Sequence, residues 1–398
     1  MSSEDDEARR KLEKPRCTAG EIVAFVRARF TLAGGDLDPA SVAELNSYDD
    51  RNYYARTVGG HEYTLKVHNG VESEQPALLA AQSAMMRHLH ARRIPVPIPV
   101  APDDASPSSD EDERDWAFVD LPAVRSDDAD EIQNADDDET AGHHSMRRRH
   151  AVRVLTWVPG EIAEKSERVV HTPAFMRAVG EFVGDVTVAL DAFAHPGAHR
   201  WHQWDLANVL TVRRFAPAVE DPENRALADD VLRDFETKVL PHAADLRVGV
   251  LHNDANDQNV VVVRKNPRVG EEDVGEGVFT PAGLLDFGDI VSSWRVNDVA
   301  ISLAYFMLHK EDPVGDAAEM LAGFESRFPL TDLERSLLPI LVAARLVCSC
   351  VCGAYSAAQD PGNKEYLLLT QRPGWTALRA LRGGGEKACL ERFAAARG

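Results

Sequence analysis

LHNDANDQNVVVV (Leu251–Val263), followed further along by GLLDFGD (Gly283–Asp289), decides the reading of this chain. Asp254 precedes Asn259 by five residues, and Asp286 opens an Asp-Phe-Gly step after a second apolar run, Val278–Leu285. Phosphoryl transfer needs that set of groups. One carboxylate must orient and deprotonate the attacking hydroxyl, and oxygen ligands must hold the Mg2+ that bridges the phosphates. Asp254 is the candidate base, with Asn259 and Asp286 as candidate metal ligands. Either segment alone recurs by chance. In this order, each beside a β-branched run, they reinforce one another.

Outward from that pair, the chain divides into a strand-rich first part and a helical second part. Thr18-Ala-Gly-Glu21 is a capping box opening an amphipathic helix (Ile22, Val23, Phe25, Val26, Phe30) that is expected to stop at Gly34-Gly35. Strands are predicted at Val42–Asn46, Asn52–Val58, Glu62–His68 and Ala151–Val158, and a further one at Trp116–Leu121. A helix is predicted over Pro76–Leu89 and a proline-rich edge strand over Ile94–Val100. From Pro173 onward, helical patterns dominate: Pro173–Phe193, about Glu223–Ala244, Asn297–Leu308, Pro313–Arg327, Asp332–Ala358 and Gly385–Ala396. The expected architecture is α+β and bilobal, with a small β-rich lobe over 17–157 and a larger helical lobe over 158–398. Residues 1–16 read as a disordered tail.

The net charge of −21 is concentrated. Between Pro102 and Ser145 stand 16 acidic residues against Arg114 and Arg125, an acidic insertion (102–148 with the basic cluster that closes it) expected to hang in solvent. This charge argues against nucleic acid or an anionic membrane surface as partner. Five cysteines make no disulfide scaffold, and Cys348, Cys350 and Cys352 lack the paired spacing of a zinc site. They read as small buried residues of a packed helix. Reduced thiols and no signal peptide predict a cytoplasmic protein, and no apolar run is read as approaching membrane-spanning length.

The motifs carry a family resemblance. SYDDRNYY, HEYTLKV, VRVLTWVPG, WDLANV, LHNDANDQN, GLLDFGD, VAISLAYFML, LAGFESRFPLT and NKEYLLLTQRPGW, in order, resemble the aminoglycoside phosphotransferase superfamily of small-molecule kinases, and within it the hydroxylysine kinases. The resemblance implies a protein-kinase-like fold and transfer of a nucleotide γ-phosphate to the side-chain hydroxyl of 5-hydroxy-L-lysine. GTP (or ATP) would be the donor, with Mg2+. It implies that Lys66 contacts the phosphates and that the turn Ser47, Asp49, Asp50, Asn52 covers them through its backbone. It also implies that the backbone near Leu155 and Trp157 meets the purine.

The chain departs from the pattern in three places. Asn253 stands where glycine is usual, Ala80 stands where the acidic partner of Lys66 is expected, and the acidic insertion is long. Gln82, Glu72 and Glu74 are the alternative partners of Lys66. His252 is read as a brace of the loop rather than as an acid or base, and Tyr355 and Trp375 as core.

A substrate with two ammonium groups and one carboxylate calls for acids and a cation. Asp289, Asp298 and Asp205 are the candidate acids, and Arg345 the candidate for the carboxylate. Each has a structural alternative: a helix cap for Asp298, a turn for Asp205, an internal pair for Arg345. Kinases of homoserine, choline, ethanolamine or aminoglycosides, and a non-catalytic nucleotide-binding protein on the same fold, remain open as alternatives.

Overall fold

The computed structural model describes residues 9–10, 12–47, 49–105, 115–122, 147–164, 172–264, 279–359 and 371–396. Residues 1–8 and 11 of the N-terminal tail, most of the acidic insertion, Tyr48 and the first part of the NKEYLLLTQRPGW segment lie outside the described residues, while 9–10 and 12–16 of the tail are described. The chain divides into two compact units, Met1–Arg87 with Pro97–Trp157, and His88–Val96 with Val158–Gly398.

The first unit is an antiparallel sheet in the order β1-β2-β3-β6-β4, formed by β1 (Leu37–Leu45), β2 (Arg51–Thr57), β3 (Glu62–Val67), β4 (Pro99–Val100) and β6 (Arg147–Thr156). β6 pairs with β3 along one edge, and with both β5 (Ala117–Pro122) and β4 along the other. Strand alternation sorts the faces. Tyr53, Ala55, Tyr63, Leu65, Val67, Val152 and Val154 point to one side. There they meet Ile22, Val23 and Val26 of α1 (Ala19–Arg29).

α1 starts where its capping box dictates, Glu21 N donating to Thr18 Oγ1 at 3.3 Å. It ends at Phe30, whose extended backbone breaks it before the glycines are reached. β1 begins at Leu37, earlier than its apolar pattern indicates, because Pro39 is tolerated on an edge strand whose pairing shifts between Asp38 and Ala43. Of the proline-rich segment, only Pro99 and Val100 pair as a strand. The basic cluster at 147–149 lies in β6: Arg148 pairs with Glu13, and Arg149 lies 3.6 Å over the Phe118 ring.

Lys66 lies on the opposite face, in register with Asn52 on β2 and Arg153 on β6. Arg153 is buried there against α2 (Pro76–Ala91), donating to Gln82 Oε1 at 2.7 Å, to Ser83 Oγ at 3.1 Å and to the Leu79 carbonyl.

In the second unit, β7 (Glu161–Ile162), β9 (Val260–Arg264) and β10 (Phe279–Leu284) form a small antiparallel sheet, while β8 (Val248–Leu251) pairs with β11 (Val291–Trp294). The rest is helical: α3 (Pro173–Ala189), α4 (Pro222–Asp234), α5 (Val296–Phe306), α6 (Pro313–Arg327), α7 (Asp332–Gln359), α8 (Gln371–Gly383) and α9 (Gly385–Ala395). A run of 3₁₀ turns spans Leu206–Ala218. α8 was not anticipated from sequence, and it carries Pro373 and Gly374 near its start. Pro373 falls in the first turn, where its missing N–H matters little.

α7 corrects one expectation. By length and composition it is apolar enough to cross a membrane, although most of its apolar window is buried inside the unit. All five cysteines are buried thiols.

α3 and α6 pack at close range through glycines. A Cβ on Gly180 would fall on the Met320 carbonyl, and one on Gly323 on the Arg177 carbonyl. Gly323→Ala is therefore expected to lose roughly 1–3 kcal/mol of stability from overpacking, despite gaining up to about 1 kcal/mol of helix propensity. Gly383→Ala, with nothing near its Cβ, is the control and should be neutral or stabilising. Urea unfolding of the two variants measures both. Equal stabilities would contradict the close approach of α3 and α6.

Candidate active site

Two antiparallel strand pairs bring the conspicuous residues of the second unit together. β9 and β10 pair with Leu284 opposite Val260, and Leu285 N donates to Asn259 O at 2.8 Å. β8 and β11 pair with Val291 opposite Leu251. The loop leaving β8 (252–259) and the turn entering β11 (285–290) are thereby fixed side by side. The motif spacing is what two adjacent antiparallel pairs require.

Buried polar groups hold the loop. His252 is fully buried; its Nδ1 accepts from Asp254 N at 3.3 Å, which leaves Nε2–H to donate to the Leu285 carbonyl at 3.0 Å. Burial pushes this imidazole down to about 4, against the opposing pull of Asp286 and Asp289, so it is a neutral brace. Its ring packs edge-on against Phe287, with centroids 4.9 Å apart.

Asn253 has φ of 66°. Glycine reaches that region without penalty, and asparagine does so more readily than other side chains, which accounts for this departure from the usual glycine. The Asn253 amide donates to Asp298 Oδ1 at 2.8 Å.

The Asp254 carboxylate is held from three directions. Oδ1 accepts Asn256 Nδ2 at 2.9 Å and Arg345 Nη2 at 3.2 Å, and Oδ2 accepts Asn259 Nδ2 at 2.7 Å. Burial and then Asp289 push this carboxyl well above the usual carboxylate range; Asp286 adds to the rise, while Arg345 and Asn256 oppose it. Because the Asn259 nitrogen is committed to Asp254, the Asn259 side-chain carbonyl is its one group able to meet a cation. Asp286 is set at φ of 55°, and one of its oxygens accepts Gly288 N at 3.1 Å. An amide oxygen and a carboxylate form an all-oxygen donor set that suits a hard divalent cation such as Mg2+.

Four expectations on the substrate side resolve differently. Asp298 is 2% exposed and braces the loop through the Asn253 and His252 amides, with burial raising its carboxyl to about 6. It faces inward, not toward a substrate. Asp205 is buried as well: it caps the 3₁₀ run through Ala207 N at 3.0 Å and accepts Ser293 Oγ at 2.6 Å. Arg345 is 1% exposed and donates to the Trp204 carbonyl and to Asp254, so it is no open receptor for a carboxylate. Asp289 alone keeps an exposed side, with 28% of its side chain accessible. Burial opposes its ionisation, but His202 Nε2 at 3.0 Å, together with Arg200 and Arg345, holds it below the ordinary carboxylate range. Sequence reading missed His202 and Arg200. The WHQWD segment gives no spacing cue, since its partners lie some ninety positions away.

In the first unit, Lys66 Nζ lies 2.7 Å from Asp50 Oδ2, and Asp50 Oδ1 accepts Asn69 N at 2.8 Å. An acid of the β1–β2 turn thus occupies the role expected of α2, whose Ala80 is buried against Leu79, Trp116 and Ala151. Gln82 belongs to Arg153, and Glu74 pairs with Arg9 and Arg148. Glu72 accepts from Arg10 at 3.4 Å and meets His68 Nδ1 at 3.1 Å.

Asp50, His68 and Glu72 come close enough to resemble a metal cluster. Lys66 and Arg10 already pair with its two carboxylates.

Ser47 Oγ donates to the Asp50 carbonyl at 2.5 Å, and Asp49 pairs with Arg10 at 3.2 Å. Asp49 and Asp50 are anions and would repel phosphate, leaving only the backbone of this turn to approach it. Asn52 has its side-chain oxygen buried without a hydrogen-bond partner. Near the proposed purine contact, Leu155 is buried in β6, while Thr156 N donates to Ile98 O and Trp157 N to Glu62 O at 3.0 Å. Those two amides are engaged in the sheet, and Trp157 packs edge-on against Tyr54.

The chain has relatives in sequence and in fold. A family model described as phosphotransferase enzyme family (APH) matches residues 41–335. Hydroxylysine kinase of Mus musculus is 30% identical over 390 residues, covering 95% of this chain and 93% of the relative. Hydroxylysine kinase of Xenopus laevis is 29% identical over 386 residues, covering 94% and 92%. Among solved structures, a microcompartment-associated aminopropanol kinase superposes with a TM-score of 0.60 at 16% identity, covering 95% of this chain and 98% of that one. The amicoumacin kinase hAmiN, solved with AMP-PNP and Ca2+, gives 0.58 at 14% identity, covering 97% of both. The fold is therefore the two-part α+β kinase-like one, and the chain belongs to the APH phosphotransferase enzyme family, whose members move phosphoryl groups onto hydroxyl acceptors.

Proposed function

We propose that this enzyme transfers the γ-phosphate of GTP to the side-chain hydroxyl of 5-hydroxy-L-lysine. The observation that carries the reading is the Asp254 carboxylate, fixed by Asn256, Asn259 and Arg345 on a braced loop beside Asp286. The acceptor is supported by relatives of nearly full length that are hydroxylysine kinases. ATP is the alternative donor. Five cysteines kept as thiols fit a reducing, cytoplasmic setting.

In this reading, Asp254 accepts the hydroxyl proton as the oxygen attacks the γ-phosphorus in line, with no phosphoenzyme. Asn259 and Asp286 hold Mg2+, which supplies charge neutralisation at the phosphates. Asp289 faces a substrate ammonium. Lys66, fixed by Asp50, meets the phosphates, with residues 17–157 as the nucleotide-binding domain and 158–398 as the catalytic and acceptor-binding domain. The turn Ser47–Asn52 contributes backbone amides to the phosphates. The purine packs near Leu155 and Trp157, through the ring and side-chain surface rather than through the engaged amides.

Nucleoside-diphosphate release with Mg2+ and GTP or ATP, across hydroxylysine, homoserine, choline and kanamycin, tests the assignment. Turnover is expected with hydroxylysine, fastest with GTP. Turnover confined to another acceptor would move the substrate assignment. Asp254→Asn should reduce kcat on the order of 100- to 10,000-fold with nucleotide affinity unchanged, and near-normal turnover would remove Asp254 from the mechanism. Asp50→Ala releases Lys66 and should raise the nucleotide KM roughly ten- to a hundredfold, the value of a charged hydrogen bond. An unchanged KM would separate Lys66 from phosphate binding.

A further inference from the structure

Between Ser336 and Gln359, in the one described helix long and apolar enough to cross a membrane, Arg345 is the only charged residue. A buried guanidinium in such a setting is strongly unfavourable unless its charge and N–H groups are answered. Arg345 is 1% exposed and gripped on several sides. Nη1 donates to the Trp204 carbonyl at 2.8 Å, and the guanidinium lies 5.0 Å from the Trp204 ring centroid and 5.3 Å from that of Tyr305. Its Nε is buried with no hydrogen-bond partner. The residue is therefore imperfectly satisfied as a piece of core, yet its remaining donor, Nη2, is directed to Asp254 Oδ1.

The stereochemistry at Asp254 shows what this contact does. A carboxylate oxygen accepts about two hydrogen bonds. Oδ1 already has two, from Asn256 Nδ2 and Arg345 Nη2, whereas Oδ2 has one, from Asn259 Nδ2. We propose that Arg345 is a positioning residue that, with Asn256, saturates Oδ1 of Asp254 and leaves Oδ2 as the oxygen that meets the acceptor hydroxyl. The inference rests on Asp254 being the base and replaces a role for Arg345 in binding a substrate carboxylate. The aromatic rings and the Trp204 carbonyl fix the guanidinium, the guanidinium fixes the rotation of the carboxylate, and the carboxylate presents a single lone-pair direction.

The test uses the full-length enzyme with Arg345→Met and Arg345→Lys. Two acceptors are compared: hydroxylysine, and the decarboxylated diamine that keeps its hydroxyl and both amino groups. A base misplaced by a fraction of an ångström is expected to lower kcat on the order of 10- to 100-fold in Arg345→Met. The loss should be equal for the two acceptors, with KM for each within about twofold of the unaltered enzyme and partial recovery in Arg345→Lys. Thermal unfolding and fluorescent-nucleotide binding identify any variant that has lost its fold. Asn256→Ala, on the loop and away from the helix core, should lower kcat in the same KM-independent way if the Arg345 variants do not fold.

A rise in KM for hydroxylysine alone, with the diamine unaffected, would overturn the proposal in favour of carboxylate binding. Unchanged kcat for both acceptors would overturn it outright. If Asp254→Asn turns over normally, the base assignment itself has failed. If that variant is inactive while Arg345→Met is not, only the role of Arg345 has failed.

Discussion

The site depends on one constraint: eight residues between β8 and β9 must hold a non-helical, partly left-handed path within a largely helical unit. A loop in that place exposes amides and carbonyls that cannot all reach water. The Asp298 carboxylate answers the amides of Asn253 and His252, His252 Nε2 answers the Leu285 carbonyl, and Ser302 Oγ answers the Ala255 carbonyl at 2.7 Å. Asp298 and Ser302 both reach the loop from α5, and His252 ties it to the strand end before β11, so the loop is determined by its surroundings more than by its own sequence. Asp254 is rigid because its neighbours are.

Charge is distributed by the same logic in both units. In the second, three carboxylates (Asp254, Asp286, Asp289) interact, and Arg345, Arg200 and His202 answer them. In the first, Lys66 is held by an acid on the turn before β2 rather than by one on α2. α2 instead supplies Gln82 and the Leu79 carbonyl to Arg153, one register position across the sheet from Lys66. Two cations on one sheet face require two separate sets of acceptors. The substitution of alanine at position 80 is tolerable because Asp50 performs the pairing from elsewhere.

How much of this was legible in the sequence follows from the range of the interactions. The spacing of Asp254, Asn259 and Asp286 is visible because two antiparallel strand pairs enforce it. The capping box at Thr18, the strands β2 and β3, and α6 were likewise readable from local pattern. The roles of Asp298, Asp205 and Arg345 were not, because a buried acid that caps a loop and an exposed acid that binds an ammonium share the same letter. Arg345 reaches Asp254 across 91 positions of chain, and Lys66 reaches Asp50 around a turn that a pattern reading assigns to phosphate. Family resemblance supplied the proposed acceptor and donor; side-chain packing leaves one of the four residues first assigned to the substrate, Asp289, with an exposed side.

The most direct test of the account is 31P NMR of a reaction containing the enzyme, GTP, Mg2+ and hydroxylysine. The account predicts a new phosphomonoester resonance split by a single carbinol proton, growing in step with GDP. A γ-phosphate recovered only as inorganic phosphate, or a phosphorus bonded to nitrogen, would contradict it.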